Sequence, residues 1–190
     1  MYLPMAAMIL TAALAVSAAA QTPTFTTIDY PGSTATMAWG INTRGDIVGI
    51  YMLADKKRHG FLLSGGNYTP IDFPGSDNTQ LQGINPAGAI SGIYTTDTDH
   101  SFILSGGQFT QIDVPNAIST DIWGINPRGD VVGSYVSADK VTHGFLLSGG
   151  QFSTIDFPDA AGNTSLSGIN SEGDITGTYV SADKVVHGFL

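Results

Sequence analysis

Four histidines are the side chains of this 190-residue sequence whose charge changes near neutral pH. Each stands before a small residue and a phenylalanine: His59, His100, His143 and His187. Thirteen residues after each of the first three comes the aspartate of an I-D-x-P segment, Asp72, Asp113 and Asp156. A fourth such aspartate, Asp29, precedes the first histidine. Imidazole beside carboxylate could do acid–base work or ligate a metal. A metal needs three or four ligands converging on one point, and groups dispersed one per repeat meet only near a central axis. With no cysteine in the chain, no metal or other cofactor is expected.

The intervening residues give the pairs a structural reading. Gly65-Gly66, Gly106-Gly107 and Gly149-Gly150 are signals for two-residue hairpins, because both corners of a type I′ turn need positive φ. With those tips the register sets His59 opposite Asp72, His100 opposite Asp113 and His143 opposite Asp156. Directly opposed side chains lie close enough to bond and to pin the register. The predicted role is therefore bracing. His187 and Asp29 are left as two orphans. If the chain is complete, residues 25–31 are expected to run antiparallel to 187–190, with Asp29 facing His187.

A second set of residues breaks the repetition. The position before each Gly-Ile-Asn holds Trp39, Gln82, Trp123 and Ser167. Trp39 is expected opposite Gly49, and Trp123 opposite Gly133, each indole covering a strand glycine. The competing reading makes them a platform for a sugar or an aromatic ligand. Arg44-Gly45-Asp46 and Arg128-Gly129-Asp130 spell an integrin-type tripeptide, but turn chemistry accounts for each residue. Asp97-Thr98-Asp99 offers oxygens to Ca²⁺ without the rest of an EF-hand loop. No G-x-S-x-G elbow, phosphate-binding glycine loop or H-E-x-x-H segment is present, and no catalytic residue is assigned.

The elements that must position these residues recur with a period of about 43 residues. GINTRGDIVGIY (40–51) returns at 83–94, 124–135 and 168–179. Each repeat holds four short runs rich in β-branched and aromatic residues, and none has helical spacing. Apolar groups fall on both faces of the predicted hairpins, so each sheet is covered on both sides, as a propeller blade is between its neighbours. The expected fold is all-β and propeller-like: four repeats (about 25–67, 68–108, 109–151 and 152–190), each with four short antiparallel strands. The fourth repeat stops at Leu190, before the expected Ser-Gly-Gly. A closed four-bladed ring and a C-terminally truncated piece of a longer propeller are both open. Tight turns share one end of such a meander and longer loops the other, where ligands are expected.

The pattern G-I-N-x-x-G-D-[IV]-V-G-x-Y, followed by H-G-F-L-x-S-G-G and I-D-x-P, resembles the bacterial HAF extracellular repeat family. The family's His-Ala-Phe reads His59-Gly60-Phe61 here. The resemblance covers residues 25–190 and implies an extracellular, repeat-built protein; it carries over no catalytic residue.

The first twenty residues are uncharged and apolar and end in Ala18-Ala19-Ala20. They are read as a signal peptide (1–20), which predicts an extracellular or periplasmic domain of residues 21–190. No basic residue precedes the apolar run, so a start further upstream stays open. A net charge of −9 with only seven basic residues argues against nucleic acid and anionic membranes as partners. Beyond the signal segment no membrane contact is expected, and a monomer is expected. The function expected is a binding or scaffold module, not an enzyme, that recognises an extracellular glycan or protein through the long-loop end. The alternatives are a propeller hydrolase or lyase with an axial site, and a structural surface repeat without a discrete ligand.

Overall fold

The computed structural model describes residues 23–158 and 160–190; the predicted signal segment lies outside them. Strands and turns make up the described residues, arranged as four small antiparallel sheets around a common axis, the plan of a four-bladed propeller. Among the described residues no helix is long and apolar enough to cross a membrane. Blade one is β1 (Ala35–Ile41), β2 (Ile47–Met52), β3 (Arg58–Ser64) and β4 (Asn67–Ile71). Blade two is β5 (Asn78–Ile84), β6 (Ile90–Thr95), β7 (Asp99–Ser105) and β8 (Gln108–Gln111). Blade three is β9 (Ser119–Ile125), β10 (Val131–Val136), β11 (Thr142–Ser148) and β12 (Gln151–Thr154). Blade four has three strands, β13 (Thr164–Ile169), β14 (Ile175–Val180) and β15 (Val186–Phe189).

The blades are offset from the sequence repeats. An I-D-x-P segment opens a sequence repeat, yet the strand leading into it is the outermost strand of the blade behind. Gly65 and Gly66 turn β3 into β4 with φ of 55° and 81°, the positive values that a type I′ hairpin needs. The first strand of each blade lies innermost: β1, β5, β9 and β13 pack on one another in succession.

Cores form between blades. Leu81 on β5 is completely buried against blade one, and a methyl on Gly60 would lie 2.7 Å from its Cγ. Leu166 enters the same hole over Gly144. In blade two Ser101 replaces that glycine and donates from Oγ to Thr120 O at 2.7 Å, and the facing side chain is the buried Ile122. A large side chain on one blade thus fills the hole left by a small residue on the next, which gives dense packing without a central core.

The end-to-end pairing of residues 25–31 with 187–190 is not formed. Residues 25–31 make no strand, and among the described residues β15 pairs only with β14. The strands of blade four do not pack on blade one as successive blades pack on each other, so β15 is not brought to these residues, and Tyr30 is held by blade one. Its N–H donates to Thr36 Oγ1 at 2.9 Å, and its ring stacks on Tyr51 at 3.6 Å. The other blades do the same: Phe73, Val114 and Phe157 donate to Thr79, Thr120 and Thr164. In those segments the aspartate reaches back to one blade while the next residue reaches forward to another.

Candidate functional site

The histidines lie toward the outer side of the blades. His59 Nδ1 is 2.8 Å from Asp72 Oδ2, His100 Nδ1 is 2.9 Å from Asp113 Oδ2, and His143 Nδ1 is 2.7 Å from Asp156 Oδ2. The second oxygen of each carboxylate accepts the next backbone N–H, from Gly60, Ser101 and Gly144 at 3.1–3.3 Å. Each imidazole also stacks on a tyrosine of the neighbouring strand, Tyr51, Tyr94 or Tyr135, at 5.2 Å. A carboxylate accepts only, so Nδ1 carries the proton and Nε2 is left facing the loop. Burial pulls the His59 pKa down, but hydrogen bonds and charge from Asp72 and Asp55 outweigh it and raise it above the ordinary value. His187 differs. Its Nε2 meets Ser181 Oγ at 3.1 Å, as His143 Nε2 meets Ser137 Oγ, but Asp29 is not among its partners. Among the described residues no group of three or more His, Asp or Glu could hold a metal ion.

The two Arg-Gly-Asp turns join blades at the tight-turn end. Asp46 Oδ2 accepts from Asn42 Nδ2 and Arg44 Nε, both at 2.9 Å, and Oδ1 accepts from Ser64 Oγ at 2.5 Å. Arg44 then reaches Pro86 O in blade two, as Arg128 reaches Ser171 O in blade four at 2.6 Å. The hydrogen bonds from Ser64 and Asn42 hold the Asp46 carboxyl below its usual range, and those from Ser148 and Asn126 do the same for Asp130. Both aspartates are buried, so these tripeptides staple blades together. Asp97, the other half of the Ca²⁺ candidate, is 89% exposed and Asp99 accepts from Thr95 Oγ1.

The tryptophans are placed otherwise than predicted. Ala38, not Trp39, is the partner of Gly49, and Ile122, not Trp123, is the partner of Gly133. Trp39 and Trp123 occupy a one-residue β-bulge that recurs in all four innermost strands, at Gln82 and Ser167 as well. A bulge leaves its extra residue out of the ladder and re-aims its side chain. The strand glycine answers the bulge itself: a methyl on Gly133 would lie 2.0 Å from Asp121 O. Gly49 faces Met37 O in the same way. The signal lay in the spacing of the inward residues. Thr79, Leu81 and Ile84 are buried at 1%, 0% and 8% exposure, a step of two followed by a step of three.

Freed from the ladder, the indoles of Trp39 and Trp123 remain 42% and 39% exposed. Trp123 Nε1 approaches Ser134 Oγ at 3.4 Å. Trp39 borders a groove of about 440 Å³ between blades one and two, where Met37, Lys56, Arg58, Asn78 and Gln80 also line the walls. Ile50 and Met52 supply apolar surface. The groove opens at the long-loop end, because Lys56 sits in the β2–β3 loop and Asn78 follows the β4–β5 connection. Arg58 N–H donates to Asn78 Oδ1 at 2.9 Å, tying the two walls.

Blade two carries different chemistry at the matching positions, which read Asp99 for Arg58 and Asp121 for Gln80. Burial, with the charge of Asp99 added, pushes the Asp121 carboxyl up to about 6. Blade three has Thr142, followed by Ser165 on blade four. Fold does not dictate these residues, so the grooves differ in sign on matching strands, and the β6–β7 loop is two residues shorter than the β2–β3 loop.

No protein-family model matches the chain, and no curated protein matches it. Solved structures do. The crystal structure of AofleA from Arthrobotrys oligospora is 14% identical, with a TM-score of 0.49 over 80% of this chain and 52% of its own. An AofleA mutant with three arginines changed to alanine gives the same score and identity over 78% and 51%. A provisionally assigned gluconolactonase is 12% identical with a TM-score of 0.39, over 82% of this chain and 78% of its own. The chain spans about half the length of the two AofleA chains. These likenesses are distant, and the strand pairing described above carries the description of the fold.

Proposed function

We propose that this protein is a secreted binding module that recognises an extracellular glycan through the innermost strands at the long-loop end. One observation carries the reading: a half-exposed indole, Trp39, is held on a bulge beside a groove, at a position where the repeats do not agree on a residue. An aromatic face flanked by amides suits a sugar, whose C–H face stacks while its hydroxyls hydrogen-bond. The resemblance to HAF repeats and the apolar N-terminal segment support an extracytoplasmic location.

Screening the mature chain on a glycan array, followed by calorimetry with Trp39→Gln, tests the proposal. The variant installs the residue that blade two carries and is expected to weaken binding at least about tenfold with an unchanged melting temperature. Array-wide absence of binding, or equal affinity in the variant, would overturn it.

A second reading rests on Asp121. A carboxyl with a pKa near 6 is suited to proton donation at neutral pH, which would fit a glycan hydrolase. Bond cleavage that disappears in Asp121→Asn would favour it over simple binding.

A further inference from the structure

We infer that the groove between blades one and two takes an acidic saccharide, its carboxylate held by Arg58 and Lys56 and its ring by Trp39. The inference rests on the proposed glycan-binding role and names the ligand class.

Charge is the first argument. Of seven basic residues in a chain of net charge −9, Arg44, Arg128 and Lys57 are committed to Asp46, Asp130 and Asp77. Among the described residues Lys56, Arg58, Lys140 and Lys184 pair with no carboxylate, and Arg58 and Lys56 come together in this groove, which has no acidic lining residue. Cations left unpaired together in an acidic protein are placed to receive an anion from outside, and a guanidinium takes a carboxylate through two parallel hydrogen bonds.

Repeat comparison is the second. Lys56 recurs as Lys140 and Lys184, each in the same positive-φ turn position, so its presence follows from the longer form of this loop, which blade two lacks. Arg58 does not recur: the same strand position holds Asp99, Thr142 and Val186. Its side chain is free to vary while its backbone N–H is fixed on Asn78 Oδ1. Geometry therefore holds the wall in place, and blade one alone supplies the positive end.

The third argument concerns what kind of anion. The side-chain amide of Gln80 and the amide nitrogen of Asn78 have no hydrogen-bond partner among the described residues, which leaves them for hydroxyls. Trp39, Met37 and Met52 offer apolar surface for a ring. A polyanion of high charge density would be repelled by the remaining surface. One carboxylate per sugar ring matches two cations. The acidic pair Asp99 and Asp121 in the next groove stops such a chain from running on around the axis.

Calorimetry on the mature chain with oligogalacturonate and oligomannuronate tetrasaccharides, each beside its methyl ester, tests this. At least one acid is expected to bind about tenfold or more tightly than its ester, with the gap narrowing as salt is raised. Arg58→Thr, which installs the residue of blade three, is expected to abolish the gap without lowering the melting temperature. Equal binding of acid and ester overturns the inference, as does a gap that survives in Arg58→Thr. If esters or neutral glycans bind in a Trp39-dependent way without preference for acid, the glycan-binding role stands and only the inference falls. If no saccharide binds, both fall.

Discussion

The outer and inner sides of each blade obey different rules. On the outer side, His59–Asp72, His100–Asp113 and His143–Asp156 repeat within 0.2 Å of one another, with a tyrosine stacked on each ring. Toward the axis, the bulge backbone repeats but its side chain reads Trp, Gln, Trp, Ser, and the innermost-strand position of the groove changes from Gln80 to Asp121 and Ser165. Groups that hold a blade together recur because every blade needs them. Groups that vary on a constant backbone are free of that demand, and function is where their variation has a use.

The most damaging change should lie between these two regions, in the packing that joins blades. Leu81→Ala removes a completely buried side chain from its seat on Gly60 and should cost about 2–5 kcal/mol by urea denaturation. A loss below about 1 kcal/mol would mean that the interblade seams are not the core.

Breaking the outer clasp should cost less. Asp156→Ala strands the His143 Nδ1 proton and the Gly144 N–H, for an expected loss of about 1–2 kcal/mol at a half-exposed site. Asp72→Ala and Asp113→Ala should cost a similar amount. Asp29→Ala is the internal control: it holds no histidine in this structure, so thermal melts should barely move. A loss at Asp29 equal to that at Asp156 would restore the pairing with His187.

How much of this was legible in the residues follows from where the chain marks itself. The hairpin register around the clasps was readable, because Gly-Gly pairs set the tips and fixed spacing does the rest. The four-strand rhythm was readable from β-branched runs between turn residues. The bulge was missed because an extra residue leaves no residue type of its own, only the step from Leu81 to Ile84. The Arg44–Pro86 and Arg128–Ser171 staples could not be read either. They join residues of different repeats, and only the stacking of blades brings those together. The closure of residues 25–31 on β15 failed for a related reason. The I-D segment predicts a strand, but a strand forms only where a neighbouring edge is brought to it, and blade four is not packed on blade one, a tertiary arrangement that no local pattern records.

The acidic groove gives a change of opposite sign. Asp121 has its folded pKa raised to about 6, whereas the unfolded value is about 3.9. The folded state therefore holds more protons between those values, and stability falls as pH rises through that window. Asp121→Asn should stabilise the protein by about 1 kcal/mol at pH 7, after allowance for solvent screening of a partly exposed carboxylate. The gain should shrink to nothing below about pH 4. Melting curves of both proteins from acid to neutral pH measure it, and a gain independent of pH would assign it to packing instead of charge.

The smallest effect on stability is expected at the position with the largest effect on ligand. Trp39 is 42% exposed and lies outside the β1–β2 ladder, so Trp39→Gln removes little buried surface. The bulge needs its backbone and the glycine opposite, not an indole, as Gln82 and Ser167 already demonstrate in blades two and four. The expected cost is within about 0.5 kcal/mol, the range of ordinary surface substitutions. Trp123→Gln should cost slightly more, because its Nε1 reaches Ser134 Oγ. Both are measured by denaturant titration followed by far-ultraviolet circular dichroism, since the substitutions alter the fluorescence signal. If Trp39→Gln cost as much as Leu81→Ala, the indole would be a packing group like the inward leucines. The contrast between a repeated outer side and a variable axis would then lose its functional meaning.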